Sequence, residues 1–413
     1  MLGFSWLVTM WKQPPCFTAD LTGKLCYSDI YTLYWTRGLA DGQIPYIDSE
    51  LEYPVLTGAF IELSRRIAVL LGAQSRPGLD TGQIYVDSEI FVWVNALMLL
   101  ACFVGLLWAH SRLSQPVGTV MIAVAPAIWT AGLINWDALV VMLTSLALLA
   151  WAKNKPLWCG IALGLGVAAK LYPVLVLVPL AVLCLRASRW RPFFLTACSA
   201  AFSWLLVNAP VYLLVPERWL TFWTFNVDRS YDFGSIWYVL YRFGIMVPGL
   251  SQLEALLMVV GTAGICLLLL AAKTRPRLAQ GVFLLVVWFL VVNKVYSPQY
   301  VLWLLPLLVL ARPRWLDWAV FSVSEALYWV SIGRHFDYSN EIGDWSAPDP
   351  VYALAVFLRI TVQLWLCARV IGDILRPERD VVRVGELLED PDDGLLNGQP
   401  DAPWLRRLTG APA

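Results

Sequence analysis

The sequence predicts an all-α integral membrane protein, a polytopic helical bundle of about 12 spans within a range of about 10–13. Hydrophobic residues make up 59% of the 413 residues and charged residues 15%, whereas a soluble domain has about 45–50% and about 25%. The apolar residues occur in separate runs, several of them close to the ~20 residues that cross a hydrocarbon layer. The 22 tryptophans suit membrane interfaces. The formal net charge of zero gives no basic field that would favour a nucleic acid partner.

The predicted spans are apolar runs separated by short turns, and they form one domain over residues 1–375. The first run is short, lacks the basic start of a signal peptide and is followed by Lys12. We therefore expect a first span that misses some N-terminal residues. The predicted spans are 1–11, 88–109, 116–134, 137–152, 156–169, 172–186, 192–213, 251–272, 278–292, 299–311, 315–332 and 350–371.

Basic residues mark every second connection between these spans. The short turns of this set contain eleven Lys and Arg residues and no acid. Such residues are retained on the cytoplasmic side of a membrane, so both termini are predicted to be cytoplasmic. The set consists of Arg112, Lys153, Lys155, Arg186, Arg189, Arg191, Lys273, Arg275, Arg277, Arg312 and Arg314.

Two lysines lie in the middle of longer apolar stretches, and each is soon followed by a proline. Lys170 precedes Pro173 and Lys294 precedes Pro298; proline disfavours helix at the residue before it. We therefore predict two tight outward hairpins, with arms of about 14 residues that reach about 21 Å, less than the ~30 Å hydrocarbon core. A lysine at that depth needs water or a counter-charge. The sequence thus predicts a recessed polar cavity that opens outward.

The first outer loop, 12–87, is the longest non-spanning segment. Ser28 or Asp29 is a good helix N-cap, and the apolar and aromatic residues that follow fit a short amphipathic helix on the membrane surface. The run 55–72 contains three charged residues, which favours a surface or re-entrant helix over a span. Further outer loops are predicted at 214–250 and 333–349. The acidic segment 376–413, rich in Gly and Pro, is predicted to be a disordered cytoplasmic tail.

Cys16 and Cys26 lie outside the spans, unlike the other six cysteines. An oxidising compartment permits a bridge, so we predict a Cys16–Cys26 disulfide. The sequence has only two histidines and no Cys/His ligand cluster, so we expect neither a metal nor a cofactor.

The predicted outer side gathers carboxylates and cations. This combination suits a lipid-linked phosphosugar, whose tail lies in the bilayer while cations neutralise the leaving phosphate. A carboxylate can take the proton of an acceptor hydroxyl as general base. Nucleotide sugars are cytoplasmic, so an enzyme on the outer side needs a membrane-carried donor. The gathered residues are Asp29, Arg37, Glu52, Asn135, Asp137, Lys170, Lys294, Gln299, Arg334 and His335.

Each of these residues also has a structural interpretation. Asp29 could be only a helix cap, and Asp137 only a first-turn charge favoured by the helix dipole. Glu52 could simply pair with Arg37, Arg65 or Arg66. The two hairpin lysines could be interfacial anchors. His335 could be a surface residue, and most aromatic residues fit an interfacial belt.

Three short motifs resemble glycosyltransferase family 87, membrane enzymes of the C-type glycosyltransferase fold. They are Tyr27-Ser28-Asp29-Ile30-Tyr31 with the later Glu52-Tyr53-Pro54, then Ala169-Lys170-Leu171-Tyr172-Pro173, then Asn293-Lys294-Val295-Tyr296-Ser297-Pro298-Gln299-Tyr300. The resemblance runs from about residue 16 to 371, and the tail is not part of the family core.

This resemblance implies that Asp29, just before the amphipathic helix, is the catalytic base. It implies inverting transfer from polyprenyl-phosphate mannose, or from a pentose carrier such as decaprenyl-phosphate arabinose, to a cell-envelope glycolipid or polysaccharide at the outer face of a bacterial plasma membrane. We assign the donor phosphate to Lys170, Lys294, Arg37 and His335. We assign substrate contacts to Glu52, Tyr53, Asn135, Asp137, Tyr296 and Gln299.

Two rival functions remain open. A transporter or lipid flippase would have duplicated halves and charges distributed through the membrane depth, and we expect neither. A non-catalytic envelope scaffold would keep the fold but need no cavity.

Overall fold

The computed structural model describes residues 1–17, 23–383 and 389–405. Within these ranges the chain is helical, and its one β-bridge joins Pro45 to Ser49. The α-helices of the described residues are α1 Leu2–Lys12, α2 Asp29–Thr36, α3 Val55–Leu70, α4 Thr81–Ser111, α5 Pro116–Ala123, α6 Pro126–Ala131, α7 Asp137–Ala152, α8 Pro156–Ala169, α9 Leu177–Arg186, α10 Trp190–Leu214, α11 Pro216–Asp228, α12 Ile236–Arg242, α13 Leu250–Ala271, α14 Leu278–Val292, α15 Val301–Ala311, α16 Trp315–Ile342 and α17 Pro350–Leu375.

Three helices begin and end at the predicted residues, namely α7, α8 and α14. Helix α8 starts at Pro156, where the missing N–H of proline costs no helical hydrogen bond, and it stops at Lys170, whose backbone is extended. A 3-10 turn, Tyr172–Val176, then leads into α9. The second hairpin has the same form, with the 3-10 turn Pro298–Tyr300 before α15. Both helices therefore end just before the hairpin lysines, as the sequence predicts.

Four helices of the described chain are long and apolar enough to cross a membrane alone, namely α4, α10, α13 and α17. The other apolar helices have 10–17 residues. At ~1.5 Å per residue even 17 residues reach only about 26 Å, less than the ~30 Å core. Length and apolar composition together therefore identify four spans, and the predicted number of 12 also includes these shorter helices.

Three predicted boundaries were wrong. The span 116–134 is broken between α5 and α6, where Pro126 starts a new helix. Helix α16 continues into the predicted outer loop as far as Ile342, because the charged segment that contains Arg334 and Glu341 extends the same helix beyond its predicted span. Helix α4 begins at Thr81, inside the predicted first outer loop, where the Asp80 carboxylate accepts a hydrogen bond from the Gln83 N–H at 3.0 Å.

The amphipathic segments of the first outer loop form α2 and α3. Helix α2 buries Ile30, Leu33 and Tyr34 against the bundle. In α3 the Glu62 carboxylate pairs with both neighbouring arginines, at 2.8 Å to Arg65 and 2.7 Å to Arg66. These local ion pairs neutralise most of the charge in α3, which is the charge that favoured a surface helix over a span.

Helix α15 is apolar throughout and lies in the core of the bundle. Every residue of α15 is buried. Helices α8 and α10 approach closely, since a Cβ on Gly160 would lie 1.9 Å from Ser199 Oγ, and one on Gly164 would lie 2.1 Å from the Ala200 carbonyl. Small residues commonly permit such close helix contacts in membrane proteins.

The bundle has two ends with different chemistry. The Asp29 end comprises α2, the Lys170 turn and the hairpin 293–300. The arginine end comprises the basic turns and the described tail residues, 376–383 and 389–405. There Asp401 pairs with Arg186 at 2.6 Å, and Asp380 pairs with Arg277 at 2.7 Å.

These contacts differ from the disordered tail that the sequence predicts. The average composition of the tail indicates disorder. It cannot predict that carboxylates of the tail form ion pairs with basic turns that are distant in sequence. Leu396 is also fully buried, which adds an apolar contact to the ion pairs. The rest of the predicted tail, 384–388 and 406–413, lies outside the described residues.

Candidate active site

A polar cavity of about 150 Å³ opens at the Asp29 end. It lies where α2, the loop after it, α11 and the two lysine hairpins meet. Its wall combines carboxylates, cations, neutral polar groups and aromatic rings. The polar lining residues are Asp29, Glu52, Lys170, Asn226, Arg229, Ser297 and Gln299. The aromatic lining residues are Tyr27, Tyr53, Phe222, Phe225 and Tyr300.

Asp29 is the first residue of α2, and its backbone is fixed to a neighbouring segment. Its N–H donates to the Ile134 carbonyl at 2.7 Å, and Ser28 Oγ donates to the Leu133 carbonyl at 2.9 Å. Ser28 occupies the N-cap position, and neither side chain bonds the helix N-terminus. The Asp29 carboxylate instead accepts a hydrogen bond from the Tyr53 hydroxyl at 2.9 Å. The helix start therefore orients this carboxylate into the cavity.

Removal from water raises the pKa of the Asp29 carboxyl to about 6. The hydrogen bond from Tyr53 and the positive charge of Lys170 act in the opposite direction, because both favour the ionised form. A general base is most effective when its pKa lies near the working pH. The cavity thus contains a carboxylate suited to accept a proton near neutral pH.

Lys170 lies opposite Asp29 and is held from behind. Its Nζ is 2.8 Å from Asp137 Oδ1, and the Trp303 indole donates to Asp137 Oδ2 at 3.0 Å. Asn135 Oδ1 accepts from the Asp137 N–H at 3.0 Å. Asp137 and Asn135 are buried and do not line the cavity. Asp137 and Asn135 therefore hold Lys170 from behind the cavity wall. They do not face the cavity, where the predicted substrate contact would require them.

Aromatic rings surround the same ammonium group. Lys170 Nζ lies 5.3 Å from the Tyr53 ring centre, 5.2 Å from that of Tyr300 and 5.5 Å from that of Trp303. Rings at this distance attract a cation. They fix the ammonium group in the cavity wall while one side of it remains open to a ligand.

Arg37 and Glu52 form a bidentate ion pair, with distances of 2.7 and 2.9 Å. Glu52 lines the cavity, and Arg37 lies behind it, outside the lining. Pairing with Arg37 was one of the structural interpretations open for Glu52. The predicted contact between Arg37 and a donor phosphate is not supported by this geometry.

Three other predicted site residues do not reach the cavity. Lys294 Nζ donates to the Val227 carbonyl at 2.9 Å, and Tyr296 is fully buried. His335 is also fully buried, between Asp349 at 3.1 Å and the Tyr238 hydroxyl at 3.1 Å. Position at the correct end of the bundle does not determine which way a side chain points.

Several lining residues were missed from sequence. The most important is Arg229, which follows α11 and forms an ion pair with Asp232. The loop 214–250 was predicted to lie on the outer side, but the sequence gives no signal for the direction of the Arg229 side chain. Ser297 and Tyr300 flank the predicted Gln299 in one hairpin, and their proximity could have indicated them. Gln299 Oε1 is buried and has no hydrogen-bond partner among the described residues.

The family model for glycosyltransferase family 87 matches residues 83–298, slightly more than half of the chain. The chain belongs to glycosyltransferase family 87. This confirms the resemblance carried by the short motifs. No curated protein matches the chain. This family 87 glycosyltransferase, with its long apolar helices, is a membrane protein.

The matched range of this family 87 glycosyltransferase includes Lys170, Arg229 and Ser297 but begins after Asp29. The family match therefore covers the cationic part of the cavity. The carboxylates of the cavity, Asp29 and Glu52, lie before the matched range.

A disulfide joins Cys16 to Cys26, with Cα atoms 5.4 Å apart. It links the segment after α1 to the segment that leads into α2. Asp29 follows three residues after Cys26, so the bridge limits the movement of the chain that carries this carboxylate. Elsewhere in the described chain, no group of three or more His, Cys, Asp or Glu side chains is arranged to hold a metal ion.

Proposed function

We propose that this glycosyltransferase moves mannose from a polyprenyl phosphate to an acceptor hydroxyl at the Asp29 end, with inversion of the anomeric centre. The supporting observation is that Asp29 and two cations, Lys170 and Arg229, line one cavity. Glycosyl transfer needs a base for the acceptor and positive charge for the leaving group. This cavity offers both.

In the proposed reaction Asp29 takes the proton of the acceptor hydroxyl as its oxygen attacks C1 of the sugar. The bond between C1 and the phosphate oxygen breaks, and its electron pair leaves with the polyprenyl phosphate. Lys170 and Arg229 neutralise the negative charge that develops on that phosphate. The new glycosidic bond forms on the face opposite the leaving group, which inverts the centre.

A lipid-carried donor suits the surroundings of the cavity. An adjacent narrow depression shares Tyr53, Pro54 and Phe222 with the cavity and is lined further by tryptophans of α10 and α11. Helix α11 has no buried residue, so its aromatic side chains are open to a membrane. An apolar chain could lie along this surface while its phosphate reaches the cations.

The sugar would lie between the remaining polar lining groups. Glu52, Asn226 and Gln299 offer oxygen and amide groups that hydrogen-bond hydroxyls. Asp137 and Asn135 act through Lys170 as positioning residues. Mannose has one more carbon and one more hydroxyl group than a pentose, so this part of the cavity would decide between them.

The basic turns support an orientation for the proposed reaction. They gather at the arginine end, and Lys and Arg are retained in the cytoplasm. The Asp29 end would then face the outer side of the plasma membrane, where an envelope glycolipid or polysaccharide is the acceptor. A nucleotide sugar would not be present there.

The direct test is transfer by the purified protein. Radiolabelled polyprenyl-phosphate mannose, polyprenyl-phosphate arabinose and GDP-mannose are supplied separately with membrane lipids as acceptors. We expect label in a product only with polyprenyl-phosphate mannose, and no product from the Asp29→Asn variant. Equal transfer from GDP-mannose would reject the lipid-carried donor. Movement of donor between leaflets without a glycosylated product would favour the flippase.

A further inference from the structure

A charged pair lies inside two of the apolar helices. Glu325 of α16 and Arg359 of α17 form an ion pair, with Arg359 Nε at 3.1 and 3.0 Å from the two carboxylate oxygens. Arg359 is 0% exposed and Glu325 5%. Charges within spans were not expected from the sequence, and buried ionisable groups in a membrane protein are costly. This pair therefore needs an explanation.

The pair is enclosed on every side by described residues. The Arg359 guanidinium lies 3.7 Å from the Tyr296 ring centre and 4.2 Å from that of Tyr328. Gln363 Nε2 donates to Glu325 Oε1 at 2.6 Å. Neither Arg359 nor Glu325 lines the cavity at the Asp29 end, so the pair does not contact a ligand there directly.

Arg359 makes one contact that its ion pair does not require. Its Nη1 donates to the Tyr296 carbonyl at 3.0 Å. Tyr296 lies in the hairpin 293–300, directly before Ser297 and three residues before Gln299. The guanidinium thus fixes the backbone of the hairpin that supplies Ser297, Gln299 and Tyr300 to the cavity wall.

The same hairpin is joined to a second cavity wall. The Tyr296 N–H donates to the Phe233 carbonyl at 3.3 Å, and the Asp232 N–H donates to the Lys294 carbonyl at 2.8 Å. A Cβ on Gly234 would lie 2.0 Å from the Tyr296 carbonyl oxygen, so glycine is required for this close approach. Asp232 in turn pairs with Arg229, which lines the cavity.

We propose that Arg359, held by Glu325, is a positioning residue that sets both walls of the donor site through the Tyr296 carbonyl. This inference rests on the proposed function, because it takes Arg229 and the hairpin as donor-binding elements. Apolar residues of similar volume often replace a buried ion pair without loss of stability. They would fill the space but could not donate a hydrogen bond to the Tyr296 carbonyl.

The test compares two double variants. In Arg359→Met/Glu325→Met both charges are removed together, so no unpaired charge stays buried. In the control Arg277→Met/Asp380→Met an equally buried pair is removed at the arginine end, where Arg277 likewise donates to two backbone carbonyls, those of Leu310 and Ala311. The single variant Arg359→Lys keeps a positive charge beside Glu325 but lacks the guanidinium that reaches both Glu325 and the Tyr296 carbonyl, so it serves if a double variant does not insert.

The first readout is hydrogen exchange of residues 293–300 in the substrate-free protein. We expect faster exchange of this segment in Arg359→Met/Glu325→Met, and unchanged exchange in the control. The second readout is transfer kinetics, where we expect KM for the lipid donor to rise about tenfold in the first variant and to stay near the wild-type value in the control. Arg359→Lys should change both readouts in the same direction as the double variant, but to a smaller extent.

The outcomes separate this inference from the proposed function. Unchanged hydrogen exchange of residues 293–300 would show that Arg359 does not fix the hairpin, whatever the transfer activity. Faster exchange with an unchanged donor KM overturns the positioning role. If the wild type transfers nothing from a polyprenyl-phosphate sugar, the proposed function fails, while the exchange comparison still decides whether Arg359 fixes the hairpin.

Discussion

The Tyr53 hydroxyl donates a hydrogen bond to the Asp29 carboxylate across the first outer loop, at 2.9 Å. The two residues are 24 positions apart and come from the start of α2 and the loop before α3. This bond aims the carboxylate into the cavity and leaves its second oxygen for another partner. The proposed mechanism depends on that free oxygen.

Replacement of Asp29 by Asn should abolish transfer while the protein still inserts and folds. The amide keeps the shape of the side chain but cannot accept a proton, so kcat should fall by about 10²–10⁴-fold. Steady-state transfer with labelled donor measures this. Tyr53→Phe is the comparison, since it retains the base and should lose far less. Near-normal turnover by Asp29→Asn would exclude it as the base.

The activity should depend on pH through the ionisation of Asp29. Because burial raises its pKa to about 6 and the base must be ionised, kcat/KM should fall as the pH drops through about 6 and level off above it. Loss of the Tyr53 hydrogen bond disfavours the ionised form. In Tyr53→Phe, the fall of kcat/KM should therefore occur at a higher pH than in the wild type. If the pH at which kcat/KM falls is the same in this variant and in the wild type, a group other than Asp29 controls the pH dependence.

The two hairpin lysines should differ in their effect on donor binding. Lys170 lines the cavity, whereas Lys294 Nζ is bonded to the Val227 carbonyl outside it. Lys170→Met and Arg229→Gln should each raise the donor KM by about tenfold or more, because each removes a positively charged side chain that binds the donor phosphate. Lys294→Met is the matched control and should change KM by less than about twofold. A larger effect at Lys294 than at Lys170 would contradict the assigned phosphate site.

This contrast shows what the sequence could supply. Lysine followed by proline in an apolar stretch predicts a turn, and both turns occur at the Asp29 end. Sequence alone does not give the direction of the side chain. That direction depends on partners far along the chain, such as Asp137 for Lys170 at 2.8 Å.

The same limit applies to Glu325 and Arg359. Each lies in a predicted span, but only the packing of α16 on α17 brings the two within 3.1 Å. The helix bounds follow from local features such as Pro156, whereas the site depends on pairings between distant elements. The turns and five lining residues, Asp29, Glu52, Tyr53, Lys170 and Gln299, could therefore be predicted, whereas the pairings that complete the cavity wall could not.

His335 should stabilise the protein without contributing to donor binding. It is fully buried, with Nδ1 at 3.1 Å from Asp349 and Nε2 at 3.1 Å from the Tyr238 hydroxyl. His335→Leu leaves both partners without this contact, at a cost of about 1–3 kcal/mol for a buried polar group. We expect a lower thermal midpoint in detergent and an unchanged donor KM. An increase in the donor KM at a temperature where the variant is folded would indicate that His335 does contribute to donor binding.

The orientation of the two ends is the last prediction, and two exposed glutamates test it. Glu341 lies at the Asp29 end of α16, and Glu378 lies in the tail at the arginine end. Each is replaced by Cys in a background that lacks the free cysteines Cys102, Cys159, Cys184, Cys198, Cys266 and Cys367. On intact cells, a membrane-impermeant maleimide should label Glu341→Cys at once and Glu378→Cys only after permeabilisation. The positive-inside bias of the basic turns is the physical reason. The opposite pattern would place Asp29 in the cytoplasm, where a nucleotide sugar could serve as donor, and would remove the need for a lipid carrier.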